Sequence, residues 1–296
     1  MIAASIIIVT YNSAEEIVNC LNSVIPQIEE ANCELLIIDN NSVDDTVTVL
    51  NKINNQFVTV YYNNANLGYT KGNNQGIENS QGKYILFLNP DTVTPDGAIK
   101  KLINIAENQN LSAIAPQLLF PDGQIQKSCR RFPRRRDVIY TMLGLDRIFS
   151  NSKEFCHWKM TDFNHEKKQY VDQPASSALL VRKNILDEVG YFDEYFPYFF
   201  TDVDLSKRIW DAGHKILFDP EVQIYHIGGA NYKKVRLKMI IISHISFYKY
   251  FLKHKEGLFN WFINLIIGGL LMIMLPIRIL VNILLPSLKY RRKQTL

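Results

Sequence analysis

The chain has 296 residues, enough to bury one large core or one core with an appendage. Its 47% hydrophobic and 21% charged residues are an ordinary globular composition. The net charge of +4 hides an asymmetry: Arg130, Arg131, Arg134, Arg135 and Arg136 form a basic cluster, and the last third of the chain is basic too. No nucleic-acid motif accompanies these charges, so no nucleic-acid partner is expected. The four cysteines, Cys20, Cys33, Cys129 and Cys156, lack metal-ligand spacing and are too scattered for a disulfide framework; they read as reduced thiols in a cytosolic chain. Met1 leads within a few residues into an apolar strand, not into a secretory leader.

Strand and helix alternate through the first half. The β-branched run 5–9 reads as a strand buried on both faces. Ser13, with Glu16 three residues on, reads as a capping box opening a helix with Ile17, Cys20, Leu21 and Val24 on one face. Residues 34–39 are a second strand, and Ser42 and Asp45 repeat the capping pattern before a helix running to about Ile53. A strand at 57–62, a glycine-bearing stretch at 66–76 with a helix to about Ser80, a strand at 84–88, a helix at 98–108 and a strand at 112–119 follow. Residues 120–175 are irregular, with a basic loop at 130–136 broken by Pro133. Strands are expected again at 177–181, 215–218 and 222–227, with a helix at 205–212 stopped by Gly213. The alternation predicts an α/β fold with a mostly parallel, Rossmann-like sheet and helices on both faces.

Such a sheet takes ligands beyond the carboxyl ends of its strands. Thr10, Tyr11 and Asn12 follow the first strand, Asp39, Asn40 and Asn41 the second, and Asp91 the fourth. A carboxylate at Asp39 can hold a base N–H or a ribose hydroxyl; it can equally open the turn Asp-Asn-Asn-Ser. Tyr11 can stack on a base or pack at the strand end. Asp91 suits a hard cation near phosphate, or a Pro-Asp turn. Asp202 and Asp204 lie two apart before a helix; Asp204 sits where it can cap Leu205, which leaves Asp202 for general-base chemistry and Asp204 for structure or acceptor binding. His226 ends a strand before Gly228-Gly229 and reads either as a structural histidine or as a metal or phosphate ligand. The stretch bearing Asn66, Gly68, Gly72, Asn74 and Gly76 allows close backbone approach at a helix start. Arg130 and Arg131 can meet an acceptor or a diphosphate, whereas Arg134 to Arg136 read as a solvated loop.

Nine stretches in order resemble the family 2 glycosyltransferases of the GT-A fold, especially their rhamnosyltransferase-like bacterial branch. They are SIIIVTYN (5–12), LLIIDNNSVDDT (35–46), NANLGYTKGNNQGI (64–77), YILFLNPDT (84–92), APQLLFPDGQIQ (115–126), SCRRFP (128–133), VGYFDEYF (189–196), TDVDLSKRIWDAGHKI (201–216) and IYHIGG (224–229). The resemblance implies an inverting, metal-dependent hexosyltransferase acting in cell-surface polysaccharide or O-antigen synthesis, with a dTDP- or UDP-sugar donor (dTDP-rhamnose is the branch's suggestion) and a glycan acceptor carried on a lipid. It implies a nucleotide site of Thr10, Tyr11, Asn12, Asp39, Asn41, Asn66, Gly68 and Asn74. Asp91 and His226 would hold Mg2+ or Mn2+, and Asp202 would be the base. The chain departs from many relatives at Thr201, where they carry Glu, and at Ser176-Ser177, where a glycine is common. Two other readings compete: a catalytically inactive, membrane-docked relative that binds sugar nucleotide or glycan, with Thr201 in its favour, and a nucleotidyltransferase, which lacks its phosphate loop here.

Residues 1–232 are thus expected to be the catalytic domain and 233–296 basic amphipathic and apolar helices associated with a membrane surface. The run 258–275 nearly reaches the ~20 apolar residues that a spanning helix needs. Spanning, re-entrant and interfacial placements follow equally from the pattern. The nucleotide-sugar chemistry places the domain on the cytoplasmic side of the inner membrane.

Overall fold

The computed structural model describes residues 1–228, 236–254 and 257–284. Gly229 and, within the basic and apolar stretch 233–296, residues 233–235, 255–256 and 285–296 lie outside them.

The chain forms two compact units, one of residues 1–129 and 165–228, the other of residues 130–164 and the described part of 229–296. In the first, the strands are β1 (Ala4–Thr10), β2 (Cys33–Asp39), β3 (Val58–Tyr62), β4 (Tyr84–Leu88), β5 (Thr92–Val93), β6 (Ala113–Leu119), β7 (Ile125–Gln126), β8 (Cys129–Arg130, at the boundary), β9 (Gln169–Val171), β10 (Gln173–Pro174), β11 (Ala178–Arg182) and β12 (Ile216–His226). The main sheet runs β3-β2-β1-β4-β11-β6-β12-β5. It is mixed, not simply parallel: β11 lies antiparallel between β4 and β6. Residues 215–227 do not make two strands; β12 continues through Pro220, which has no N–H to donate, by shifting register between Asp219 and Gln223.

Helices cover both faces. α1 (Ala14–Val24) and α4 (Ala98–Asn108) bury Ile17, Leu21, Leu102 and Ile103 with Ile6, Ile8, Leu35 and Ile37 of the sheet. Each such Ile or Leu contributes about 1.5–3 kcal/mol by leaving water. α3 (Gly68–Glu78) lies on the opposite face against β1 and β2. A Cβ on Gly72 would sit 2.7 Å from Val9, and one on Gly76 2.5 Å from Ile7. These glycines therefore let α3 press onto the sheet; the close approach they allow is helix to strand, not backbone to ligand.

The expected caps are differently built. Ser13 makes no side-chain cap to α1; its hydroxyl donates to Tyr11 O, while Asp44 and Thr46 accept the N–H groups of Ala14 and Ser13. α2 is only Thr46–Leu50, and Asp44, not Asp45, accepts its first N–H. α7 (Lys183–Val189) and α8 (Thr201–Asp211) complete the unit. α8 starts four residues earlier than the pattern suggests, so Asp204 is inside its first turn and caps nothing.

The second unit holds α5 (Arg135–Leu143), α6 (Leu145–Ile148), α9 (Arg236–Lys253) and α10 (Gly257–Leu284). Arg134 to Arg136 are not a solvated loop. Arg134 stands at the N-cap of α5, where its N–H donates to Asp137 Oδ2 and its guanidinium pairs with Asp137 and Glu154; Arg135 donates to Asn264, and Arg136 pairs with Glu154. Among the described residues no helix is long and apolar enough to cross a membrane. The outward row of α10 is nonetheless apolar: Phe262, Ile266, Met272 and Ile273 are each at least 60% exposed.

Candidate active site

The carboxyl ends of β1, β2 and β3 are in register, with Thr10 opposite Asp39 and Asp39 opposite Tyr62. β1 ends in Tyr11, which is exposed, and Asn12, whose positive φ turns the chain. The Asn12 N–H donates to Ser42 Oγ at 2.9 Å and its Oδ1 accepts the Val43 N–H, so the two loops brace each other. Asn41 shares the left-handed geometry, with φ 61°, and is exposed. Thr10 is buried, and its hydroxyl has no partner among the described residues.

Asp39 is almost fully enclosed. Ser42 closes on it with both its N–H, at 3.0 Å, and its hydroxyl, at 2.5 Å. Of the two readings open for Asp39, this geometry is the turn: the carboxylate fastens the loop that follows β2. Asn40, which the sequence names only as a neighbour, is the hub beside it. It donates to Gly68 O at 3.0 Å and accepts from Asn63, tying together the ends of β2 and β3 and the start of α3. Asn66 fixes the same start by accepting the Gly68 N–H. Asn74 donates to Phe192 O and accepts Phe192 N–H, so its amide fastens residues 191–200 to α3.

Asp91 follows β4, and His226 is brought to it by the β5–β12 pairing of Thr92 with His226. Nε2 of His226 is 3.2 Å from Oδ1 of Asp91. The other carboxylate oxygen accepts the Gly228 N–H at 3.0 Å, and Gln126 Oε1 lies 2.7 Å from Nδ1 of the imidazole. Burial opposes a charge on Asp91, but His226 and the Gly228 N–H outweigh it and hold the carboxyl below its ordinary value. Among the described residues no cluster of three or more His, Cys, Asp or Glu gathers around one point. Asp91 and His226 would offer one carboxylate and one imidazole, donors whose chemistry fits a divalent cation.

Asp202 reaches the same edge through a chain of contacts. Asn89 N–H donates to Ser177 O, beside Ser176, whose O and Oγ both accept from Tyr69. Burial pushes the Tyr69 phenol up, and the charge of Asp202 adds to the rise. Asp202 is half-buried in the first turn of α8. Its Oδ1 accepts the Val203 N–H at 2.9 Å and its Oδ2 accepts from Gln173 at 3.1 Å. α8 is launched by Phe200 at φ 68°, a left-handed position for a bulky residue. Such backbone costs about 1–3 kcal/mol and persists where the surroundings impose it. Asp204 is fully buried, and its Oδ2 accepts from Arg208 at 2.9 Å, which is the structural of its two readings.

Arg130 and Arg131 belong to the other unit. Arg131 grips Asp162 through two hydrogen bonds of 2.7 and 2.8 Å, and Arg130 lies over the Trp158 ring at 5.6 Å. Both guanidinium groups have partners within residues 130–164.

Residues 5–160 match the family described as Glycosyl transferase family 2. The chain belongs to that family. A relative from Mycobacterium tuberculosis, N-acetylglucosaminyl-diphospho-decaprenol L-rhamnosyltransferase, is 26% identical over 75% of both chains. The Sinorhizobium fredii protein y4gI is 23% identical over 75% of this chain, which spans only 24% of that larger relative. The mannosyltransferase PcManGT of Pyrobaculum calidifontis, solved with GDP-Man and Mn2+, superposes with a TM-score of 0.58 at 14% identity, covering 92% of this chain and 70% of that one. At that identity the likeness is one of fold.

Sequence reasoning missed Asn40, Ser42 and Gln173. Asn40 lies in a polar turn with no role read for it, and Ser42, read as a helix cap, instead donates its N–H and hydroxyl to Asp39. Gln173 has no local signal; only the fold brings it to Asp202.

Proposed function

We propose that this family 2 member is an inverting glycosyltransferase using a nucleotide-diphosphate sugar. The observation that carries this is the gathering of Thr10 and Tyr11, Asp91, His226 and, through Tyr69, Asp202, from four separate segments, toward one edge of the sheet. Tyr11 stacks on the base, and the loops braced by Asn12 and Asp39, the second exposing Asn41, shape the nucleoside seat beside the start of α3, which Asn66 and Gly68 set and whose Asn74 holds Phe192. Asp91 and His226 would hold a divalent cation, Mg2+ or Mn2+, which when bound supplies positive charge against the diphosphate.

The transfer is one in-line displacement. The acceptor oxygen bonds to the anomeric carbon as the bond from that carbon to the diphosphate oxygen breaks, and the diphosphate leaves with the electron pair. Asp202 takes the hydroxyl proton. Attack opposite the leaving group inverts the configuration.

A rhamnosyl donor and a lipid-linked saccharide acceptor are supported by the name of the mycobacterial relative; dTDP as the carrier and a place in cell-surface polysaccharide synthesis are part of the same proposal. The apolar outward row of α10 supports attachment to the cytoplasmic face of the inner membrane, with the helix lying in the interface. A panel of dTDP-, UDP- and GDP-sugars, screened with Mg2+ or Mn2+ for release of nucleoside diphosphate, tests the reading. Metal-dependent turnover of one donor is expected; binding of a donor without turnover across a range of glycan acceptors would instead mark an inactive relative.

A further inference from the structure

We propose that Gln173 is a positioning residue for the transfer: its carboxamide clamps the Asp202 carboxylate in the orientation that receives the acceptor's proton. The proposal rests on the reading of Asp202 as the base.

Gln173 comes from β10, twenty-nine positions before Asp202. Its side chain is only 3% exposed. The amide nitrogen faces two acceptors, Asp202 Oδ2 at 3.1 Å and Pro174 O at 3.2 Å. Two acceptors on one side fix which end of the amide points there: only the NH2 can satisfy both. The opposite end has no such match. Gln173 Oε1 is buried and meets no donor among the described residues. A buried acceptor without a donor is a loss that a leucine or methionine of similar volume would not carry. A glutamine here therefore serves poorly as packing, and what it does satisfy is the carboxylate.

The chemistry of the clamp suits a base. Two of the donors on Asp202, the Val203 N–H and the Gln173 amide, are neutral. Such donors favour the charged carboxylate and fix its plane, each less strongly than a guanidinium would. Asp204 shows the contrast two residues on: it is closed onto Arg208 and fully buried. Among the described residues, Tyr69 from α3 is a titratable group whose phenol feels the Asp202 charge, and the buried Asp204–Arg208 pair lies on the same helix as Asp202.

The test measures kcat and KM against pH for the full chain and for Gln173→Leu, Gln173→Glu and Asp202→Asn, with thermal melts as controls. Gln173→Glu keeps the volume and so keeps the test open if Gln173→Leu fails to fold. With the amide donor gone, the charged base is less favoured. The acidic limb of the kcat profile should move up by about one pH unit in Gln173→Leu. It should move further in Gln173→Glu, where two carboxyls share one site. Donor KM should change by less than about twofold, because the lost contact acts on the base and not on donor binding. A kcat that falls equally at every pH, with the limb unmoved, would reduce Gln173 to packing and overturn the proposal. Normal turnover by Asp202→Asn would overturn the base reading itself, and the Gln173 assignment with it.

Discussion

Oδ1 of Asp91 and Nε2 of His226 stand 3.2 Å apart, held there by the pairing of β5 with β12. On the proposed reading, a hard oxygen donor and an imidazole so placed would hold a divalent cation against the diphosphate. His226→Ala and Asp91→Asn should each lower kcat on the order of 100-fold and raise the Mn2+ concentration for half-maximal activity. Metal titrations of turnover check this. Unchanged metal dependence in both variants would remove the pair from the reaction.

The contact of α3 with the sheet depends on two missing side chains. A methyl group at Gly76 would come 2.5 Å from Ile7 Cγ2, and one at Gly72 2.7 Å from Val9 Cγ1. Ile7 is fully buried and has little room to yield, and Val9 is partly buried. Gly76→Ala and Gly72→Ala should each destabilise by about 1–3 kcal/mol, the usual cost of overpacking a core. Thermal or urea melts measure it, and a stability equal to wild type would mean that α3 sits further from β1 than described.

Much of the first unit is legible in the sequence because its strands are buried on both faces. Runs such as Ile6, Ile7 and Ile8 or Leu35, Leu36, Ile37 and Ile38 have no other stable place than a covered sheet. The polar edge is legible for the same reason: Thr10, Asp39 and Asp91 break apolar runs at strand ends. What escapes is whatever depends on pairing across long separations. The antiparallel direction of β11 and the continuity of β12 past Pro220 are set by neighbours, not by local pattern. Ser13 and Asp45 look like caps in isolation, yet Asp44 and Thr46 do that work because the two loops fold against each other. Arg131 reads as a ligand for phosphate until Asp162, distant in the chain, meets it.

That pair has a pH signature. The hydrogen bonds from Arg131 hold the Asp162 carboxyl below its ordinary value. A carboxyl lowered on folding stabilises the protein above its unfolded value, and the gain is lost as pH falls through the folded value. Arg131→Ala should therefore cost stability at neutral pH, no more than about 1 kcal/mol because solvent screens the pair. The same variant should lose less stability than wild type on acidification below the ordinary aspartate range. Melting temperatures from neutral to acid pH compare the two curves, and parallel curves would contradict the assignment.

The outward row of α10 places Phe262, Leu265, Ile266, Met272 and Ile273 in solvent. If that row enters a lipid interface, Ile266→Lys with Ile273→Lys should weaken binding to anionic phospholipid vesicles by about tenfold or more, since each buried isoleucine contributes on the order of 1.5–3 kcal/mol. Vesicle co-sedimentation measures it. Equal sedimentation of the double variant and wild type would move the attachment elsewhere.

The central claim is that Asp202 removes the proton from the acceptor while the rest of the edge holds the donor. Asp202→Asn keeps the shape of the side chain and takes away its basicity. Calorimetry of donor binding beside a transfer assay on this one variant is the most direct measurement: donor affinity within about twofold of wild type, with transfer lowered by about 10²–10⁴-fold, is the predicted result. Transfer at the wild-type rate would contradict it.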